Sequence, residues 1–333
     1  MIKKITSVLL ALILTAALFC SCKNESNTDG KLNVVCTVFP QYDWVRNIAG
    51  EDADINITLL LDSGTDLHSY QPTAADIVKI SSADIFIYTG GESDKWVTDV
   101  LNTSKNENTL CLDLISVLGE DKLYCVESIG EEGHEHSDDE HEHSDDEHGH
   151  SDDEHVHTSD EHIWLSLKNA AILCSSICDA LSEKDSENAE IYRQNCQSYI
   201  QKLDALDKSY ETAVRDAKND TLVFADRFPF IYLVKDYGIN YYAAFSGCSA
   251  ESEASFETVK QLANEVDKNG LSYILITETS DASVANTVKN STADKDQEIL
   301  TMNALQSVTK DKLSESYISV MESNLEILKK ALS

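Results

Sequence analysis

From Ile191 to Ala217 the chain reads IYRQNCQSYIQKLDALDKSYETAVRDA, with apolar side chains at Tyr192, Cys196, Tyr199, Leu203, Leu206, Tyr210 and Val214. Steps of four and three residues keep these on one face of an α-helix. At 1.5 Å per residue the stripe runs roughly 35 to 40 Å, enough to pass two lobes. Short β-rich runs lie on both sides of it: LNVVCTVF, DINITLLL and DIFIYTG before, TLVFAD, NYYAAF, SYILIT and EILTMN after. Helical patterns such as AADIVKISSA and SFETVKQLANEVDKNG separate them, an alternation that builds parallel sheets faced by helices. The expected fold is α/β: two lobes, each a mainly parallel sheet flanked by helices, joined by one long rigid linker helix. The boundaries are 32–185 for the N-terminal lobe, 186–217 for the linker and 218–333 for the C-terminal lobe. A stiff helical joint permits only modest lobe movement. The alternative is a long helix packed inside one domain.

At 333 residues the chain can bury two such cores. Its first residues are not part of either. MIKK precedes the apolar run SVLLALILTAALF, too short to span a bilayer comfortably and placed as a targeting segment. The run closes on FCSC and turns polar as KNESNTDG. Charge, apolar run, small residue and cysteine is the order of a bacterial lipoprotein signal. Residues 1–22 are read as that signal with Cys22 lipidated, and 23–31 as a linker. Two acyl chains on Cys22 would hold the body on the outer face of the membrane; a cleaved secretory signal with incidental cysteines is the alternative. Beyond Cys22 remain Cys36, Cys111, Cys125, Cys174, Cys178, Cys196 and Cys248, an odd number that leaves a thiol free or paired between chains. Cys174 and Cys178 suit one buried helix face, and a Cys111–Cys125 disulfide stays open. No close CxxC pair supplies a structural zinc site.

The net charge is −33, and Glu131 to Glu161 alone holds fifteen acids without a Lys or Arg. Such a balance repels nucleic acid and attracts cations. Inside that run a seven-residue unit recurs as HEHSDDE, HEHSDDE, HGHSDDE and HVHTSDE. It places His134, His136, His141, His143, His148, His150, His155 and His157 in HxH pairs. With Val156 its one apolar residue, the run 131–161 buries nothing and is expected to be a disordered loop. Imidazole pairs beside carboxylates suit Zn²⁺, Cu²⁺ or Ni²⁺, and eight imidazoles in four such pairs raise the local ligand concentration. An acidic spacer would account for the acids but not for the histidines. HExxH is absent, and HSDDEH has one residue too many for HxxEH, so the tract is not read as catalytic zinc.

Two histidines stand outside the repeats, His162 directly after them and His68 in LLLDSGTDLHSYQPTAADIVKIS. His68 follows a strand and a Gly-containing turn, the carboxyl end of a strand where open α/β sheets bind ligands. A lone loop histidine is more often a structural residue than a ligand.

The segments NVVCTVFPQYDWVRNIAGED, GTDLHSYQPTAADIVKISSADIFIYTGG and DEHIWLSLKNA resemble the metal-binding lipoproteins of zinc and manganese ABC importers, from about Leu32 to the C-terminus. That family's patterns, similar to DPHxYEPTPSD and DPHIWLSP, align His68 and His162 with its first two ligands, and the repeats with its variable histidine-rich loop. The resemblance implies a third ligand after the first strand of the second lobe, where Asp226 stands in TLVFADRFPF. Arg227 beside it offers a competing partner, and a helix-capping role for Asp226 is open. The fourth position falls on Asn303, a neutral donor, with Glu253 and Glu278 as other acids in reach. The implied protein is a monomeric, lipid-anchored receptor outside the cell that hands Zn²⁺ to an ABC permease. The two imidazoles and missing fourth carboxylate favour zinc over Mn²⁺. A manganese receptor or a surface adhesin are the alternatives. A secreted zinc hydrolase lacks a motif supplying its base, so the chain is not read as an enzyme.

Overall fold

The β-branched and aromatic runs form two four-stranded sheets. The computed structural model describes residues 30–51, 53–104, 106–124, 159–247 and 253–333. Cys22 and its signal, the eight tract histidines, Cys125 and Cys248 lie outside the described residues. The first lobe contains β1 (Leu32–Cys36), α1 (Phe39–Ala49), β2 (Ile55–Leu59), α2 (Ala74–Ser81), β3 (Ile85–Tyr88), α3 (Lys95–Ser104), β4 (Leu110–Asp113), α4 (Leu114–Leu118) and α5 (Leu167–Lys184). The linker is α6 (Ala189–Arg215). The second lobe contains β5 (Thr221–Phe228), α7 (Ile231–Tyr237), β6 (Asn240–Ser246), α8 (Phe256–Lys268), β7 (Tyr273–Thr277), α9 (Ser283–Ser291), β8 (Glu298–Met302) and α10 (Tyr317–Ala331).

The strand orders are β2-β1-β3-β4 and β6-β5-β7-β8, with every pair parallel. The same order in both lobes sets each first strand between its second and third. β4 is hard to read in the sequence because its apolar residues Leu110 to Leu112 are followed at once by the apolar LISVL of α4, with Asp113 alone between them. Asp113 makes the break: it ends the strand, and its carboxylate accepts the Ser116 N–H at 3.0 Å to cap α4.

The apolar stripe of α6 is buried from Tyr192 to Tyr210. Its first half docks on the first lobe, where Asn195 Nδ2 donates to the Ile48 carbonyl at 3.1 Å and Tyr199 Oη to Asp43 at 3.3 Å. Its second half docks on the second lobe, with Tyr210 Oη donating to the Met321 carbonyl at 2.6 Å. One hydrophobic core runs from Val34 and Trp44 through α6 to Met302 and Tyr317. A smaller core lies between the second sheet and α8 and α9, built on Val223, Leu262, Ile274 and Val288. Continuity of the larger core through α6 is the physical basis of a stiff joint. Cys174 and Cys178 lie on the buried face of α5 as thiols.

Candidate metal centre

β2 ends at Leu59, and the chain passes through Gly64 to a single 3₁₀ turn at Leu67–Ser69. Asp66 caps that turn by accepting the His68 N–H at 3.0 Å. The His68 ring lies against Ser93 Oγ at 2.8 Å through Nδ1, with Glu161 Oε2 at 3.7 Å. Ser93 in turn donates its N–H to Glu161 Oε1 at 2.6 Å. This contact requires Gly91, whose φ is 84° and where a Cβ would stand 2.6 Å from Glu161 Oε1.

His162 is completely buried. Asp160 Oδ1 accepts both its backbone N–H and its Nδ1–H at 2.9 Å, so Nε2 is the ring's free face. His68 Nε2 lies 3.3 Å from that nitrogen, and the rings meet at 61°. From the second lobe, Gln306 Oε1 approaches the same nitrogen at 2.9 Å. The turn that delivers Gln306 is braced at each step. Asn303 Oδ1 accepts the Leu305 N–H at 2.8 Å, and Glu278 Oε2 accepts the Ala304 N–H at 2.8 Å. Leu305 takes φ 60°, a left-handed conformation costing a branched residue about 1–2 kcal/mol that these bonds offset. Trp164 Nε1 donates to the Ala304 carbonyl at 2.8 Å, holding the turn to the first lobe.

The chain matches the family model described as zinc-uptake complex component A periplasmic, ZnuA, over residues 34–331. It belongs to the ZnuA family. It is 34% identical to the zinc-binding lipoprotein AdcA of Streptococcus pneumoniae over 98% of this chain. It spans 60% of that relative's length. Among solved structures, the Zn(II)-bound ZnuA-like domain of AdcA superposes with a TM-score of 0.68 at 30% identity, covering 91% of this chain and 99% of that one. The metal-dependent lipoprotein YcdH of Bacillus subtilis superposes at 0.71 with 25% identity, covering 91% and 99%. The two parallel-sheet lobes and linker helix are the fold of these ZnuA-family structures.

Within this ZnuA-family fold the sequence-assigned residues divide. His68 and His162 meet. Asp226 is engaged within its own lobe: Oδ1 accepts the Arg227 N–H at 2.8 Å, and Oδ2 accepts the Thr277 N–H and Oγ1–H at 2.9 and 2.6 Å. β5 and β7 pair in register only at Phe224–Leu275, and β5 bulges between Phe224 and Arg227. The Asp226 carboxylate therefore replaces a lost ladder bond. Arg227 does not pair its guanidinium with Asp226; it reaches Asp66 at 3.0 Å. Asn303 is a brace for the 303–306 turn. Glu253 is exposed. Glu278 has one oxygen on Ala304 and the other, Oε1, buried without a partner. Burial pushes its pKa up, against the lowering influence of the Ala304 and Gln306 amides and of His162.

Asp160, Glu161 and Gln306 were not found in the sequence. The first two were hidden inside the repeat, whose fourth copy departs from HSDDE to HTSDE where the folded lobe resumes. These two acids, assigned to the disordered loop, are buried supports of the imidazoles. Burial and the neighbouring His162 push His68 down to about 4. Burial also opposes charge on His162, but Asp160, Gln306 and Glu161 outweigh it and raise that ring. With Nδ1–H on Asp160, a neutral His162 turns a lone pair toward the Gln306 carbonyl, while Gln306 Nε2 is buried without a partner. A cation on Nε2, proton or metal, removes that conflict. Among the described residues no three His, Cys, Asp or Glu side chains already converge on one point.

Proposed function

We propose that the chain is the zinc receptor of an ABC importer, capturing Zn²⁺ outside the cell in the cleft between its lobes and delivering it to a membrane permease. His68 and His162 bind through Nε2, Gln306 through Oε1 and Glu278 through its unpartnered Oε1. The observation that carries this reading is the 3.3 Å imidazole pair with a donor from the other lobe on the same nitrogen. Two ligands at Zn–N distances of about 2.0–2.1 Å and a tetrahedral angle lie about 3.3–3.4 Å apart. The Gln306 oxygen needs to shift by a few tenths of an ångström, and Glu278 Oε1 has to turn toward the pair, since among the described residues no three His, Cys, Asp or Glu side chains converge before metal binds. Two nitrogens and two oxygens suit four-coordinate zinc; Mn²⁺ favours more oxygens in octahedral array. Asp226 is left out of the set because its oxygens are engaged in the second sheet. The names of the relatives, a zinc-binding lipoprotein and a Zn(II)-bound domain, support zinc as cargo and an extracytoplasmic place. The protein is a transport receptor and not an enzyme.

The histidine repeats serve as a collecting arm. Their flanks support this: Asp160 donates its N–H to the Tyr124 carbonyl at 2.8 Å, so the insertion leaves and re-enters the fold two residues from His162. Cys22 carries the lipid that holds a monomeric receptor at the membrane. The test is zinc titration of a chain lacking residues 125–158, which keeps Asp160 and Glu161. One tight equivalent is expected, and it disappears with His68→Ala. Tight binding that survives His68→Ala overturns the cleft site.

A further inference from the structure

The loop that carries His68 belongs to the first lobe by sequence, yet the second lobe grips it from two sides. On one side the grip is mainly backbone: the Gly64 N–H donates to the Val308 carbonyl at 2.9 Å, Ser307 Oγ to the Gly64 carbonyl at 2.8 Å, and Ser63 bridges Thr309. Lys310 adds an ion pair to Asp62 at 3.2 Å. On the other side stands a single charge, Arg227 at the end of β5, whose Nη2 lies 3.0 Å from Asp66 Oδ2. Both side chains are largely buried, 22% and 19% exposed. The approach is off the line of a hydrogen bond, and Asp66 Oδ2 has no other partner. The contact is therefore held by charge. The same carboxylate fixes the His68 backbone through its second oxygen.

We propose that Arg227 is a positioning residue that latches the cleft: through Asp66 it ties the His68 turn to the second lobe and sets how fast metal enters and leaves. The proposal rests on the cleft being the zinc site. The ion pair crosses between the lobes through side chains alone, so it can break without disturbing either sheet. Zinc that coordinates His68 adds positive charge near the guanidinium, so the loaded site loosens its own latch. A group that gates passage changes entry and exit together, because both cross the same opening. A group that only orients His68 changes exit and affinity. A group that acts only as a repelling charge slows entry.

The test uses Arg227→Met, Arg227→Lys and Asp66→Asn in the full chain; the Asn keeps the cap on His68 and removes the charge. Stopped-flow zinc association, and dissociation into a chelator, should both accelerate in Arg227→Met by roughly fivefold, the upper range for a partly exposed pair, with Kd changing less than either rate. Arg227→Lys should restore most of the effect, and Arg227→Met with Asp66→Asn should not be additive. Raising salt should speed exchange in the native chain and not in Arg227→Met. In zinc-free protein, hydrogen exchange at the Gly64 amide should speed up in Arg227→Met. Unchanged rates, a change in dissociation alone, faster association with slower dissociation, or unchanged Gly64 exchange each overturns the latch. Failure of the native chain to bind zinc with altered Gly64 exchange intact would overturn the zinc assignment instead.

Discussion

Asp160→Asn tests the centre where its chemistry is set. Asp160 Oδ1 accepts two hydrogen bonds from His162, from the backbone N–H and from Nδ1–H, both at 2.9 Å. Asparagine keeps a carbonyl oxygen for both bonds, so the ring stays oriented and the loss is the negative charge behind it. Carboxylate partners of metal-bound imidazoles raise ligand basicity, and their removal costs about 10–100-fold in metal affinity. That corresponds to about 1.4–2.7 kcal/mol. The carboxylate also raises His162 toward protonation. A His whose folded pKa is raised contributes stability fully present below about 6.5 and lost as pH rises through the folded value. Proton and zinc compete for one Nε2, so the advantage of the native chain should narrow as pH falls below that value. The assay is competition with a zinc chelator across pH 5.5 to 8, alongside urea unfolding of the metal-free forms. Stability should change by no more than about 1–3 kcal/mol, the range for an altered buried polar group. Zinc affinity within about threefold of native, or a deficit equal at every pH, would refute the reasoning.

Glu278→Gln should weaken zinc by about tenfold or more. Because burial holds the Glu278 pKa up, its charge opposes folding at neutral pH, so the same variant should melt at the native temperature or above it, checked by calorimetry with and without zinc. Leu203 is fully buried in the middle of α6, and Leu203→Ala should cost about 2–5 kcal/mol. Urea unfolding followed by fluorescence and circular dichroism should stay a single transition, because one core joins the lobes; two separated transitions would count against that continuity.

The sequence by itself determined the elements and their grouping. The α6 stripe, seven of the eight strands among the described residues and the buried Cys174–Cys178 face are readable because helix and strand periodicities are local, fixed by backbone geometry within a few residues. His68 and His162 were readable because each sits in a short motif. The resemblance carried the assignment of the family. Only the tertiary structure decided which donors meet those imidazoles. Gln306 reaches His162 from 144 residues away, through a turn set by Asn303, Leu305 and Glu278 that no periodicity announces. Asp226 turns to Thr277 because β5 leaves β7 there, and Arg227 crosses to Asp66 because two loops far apart in sequence come together at the cleft. Coordination depends on side chains from separate lobes meeting within about an ångström, a condition set by the docking of whole sheets on a common core.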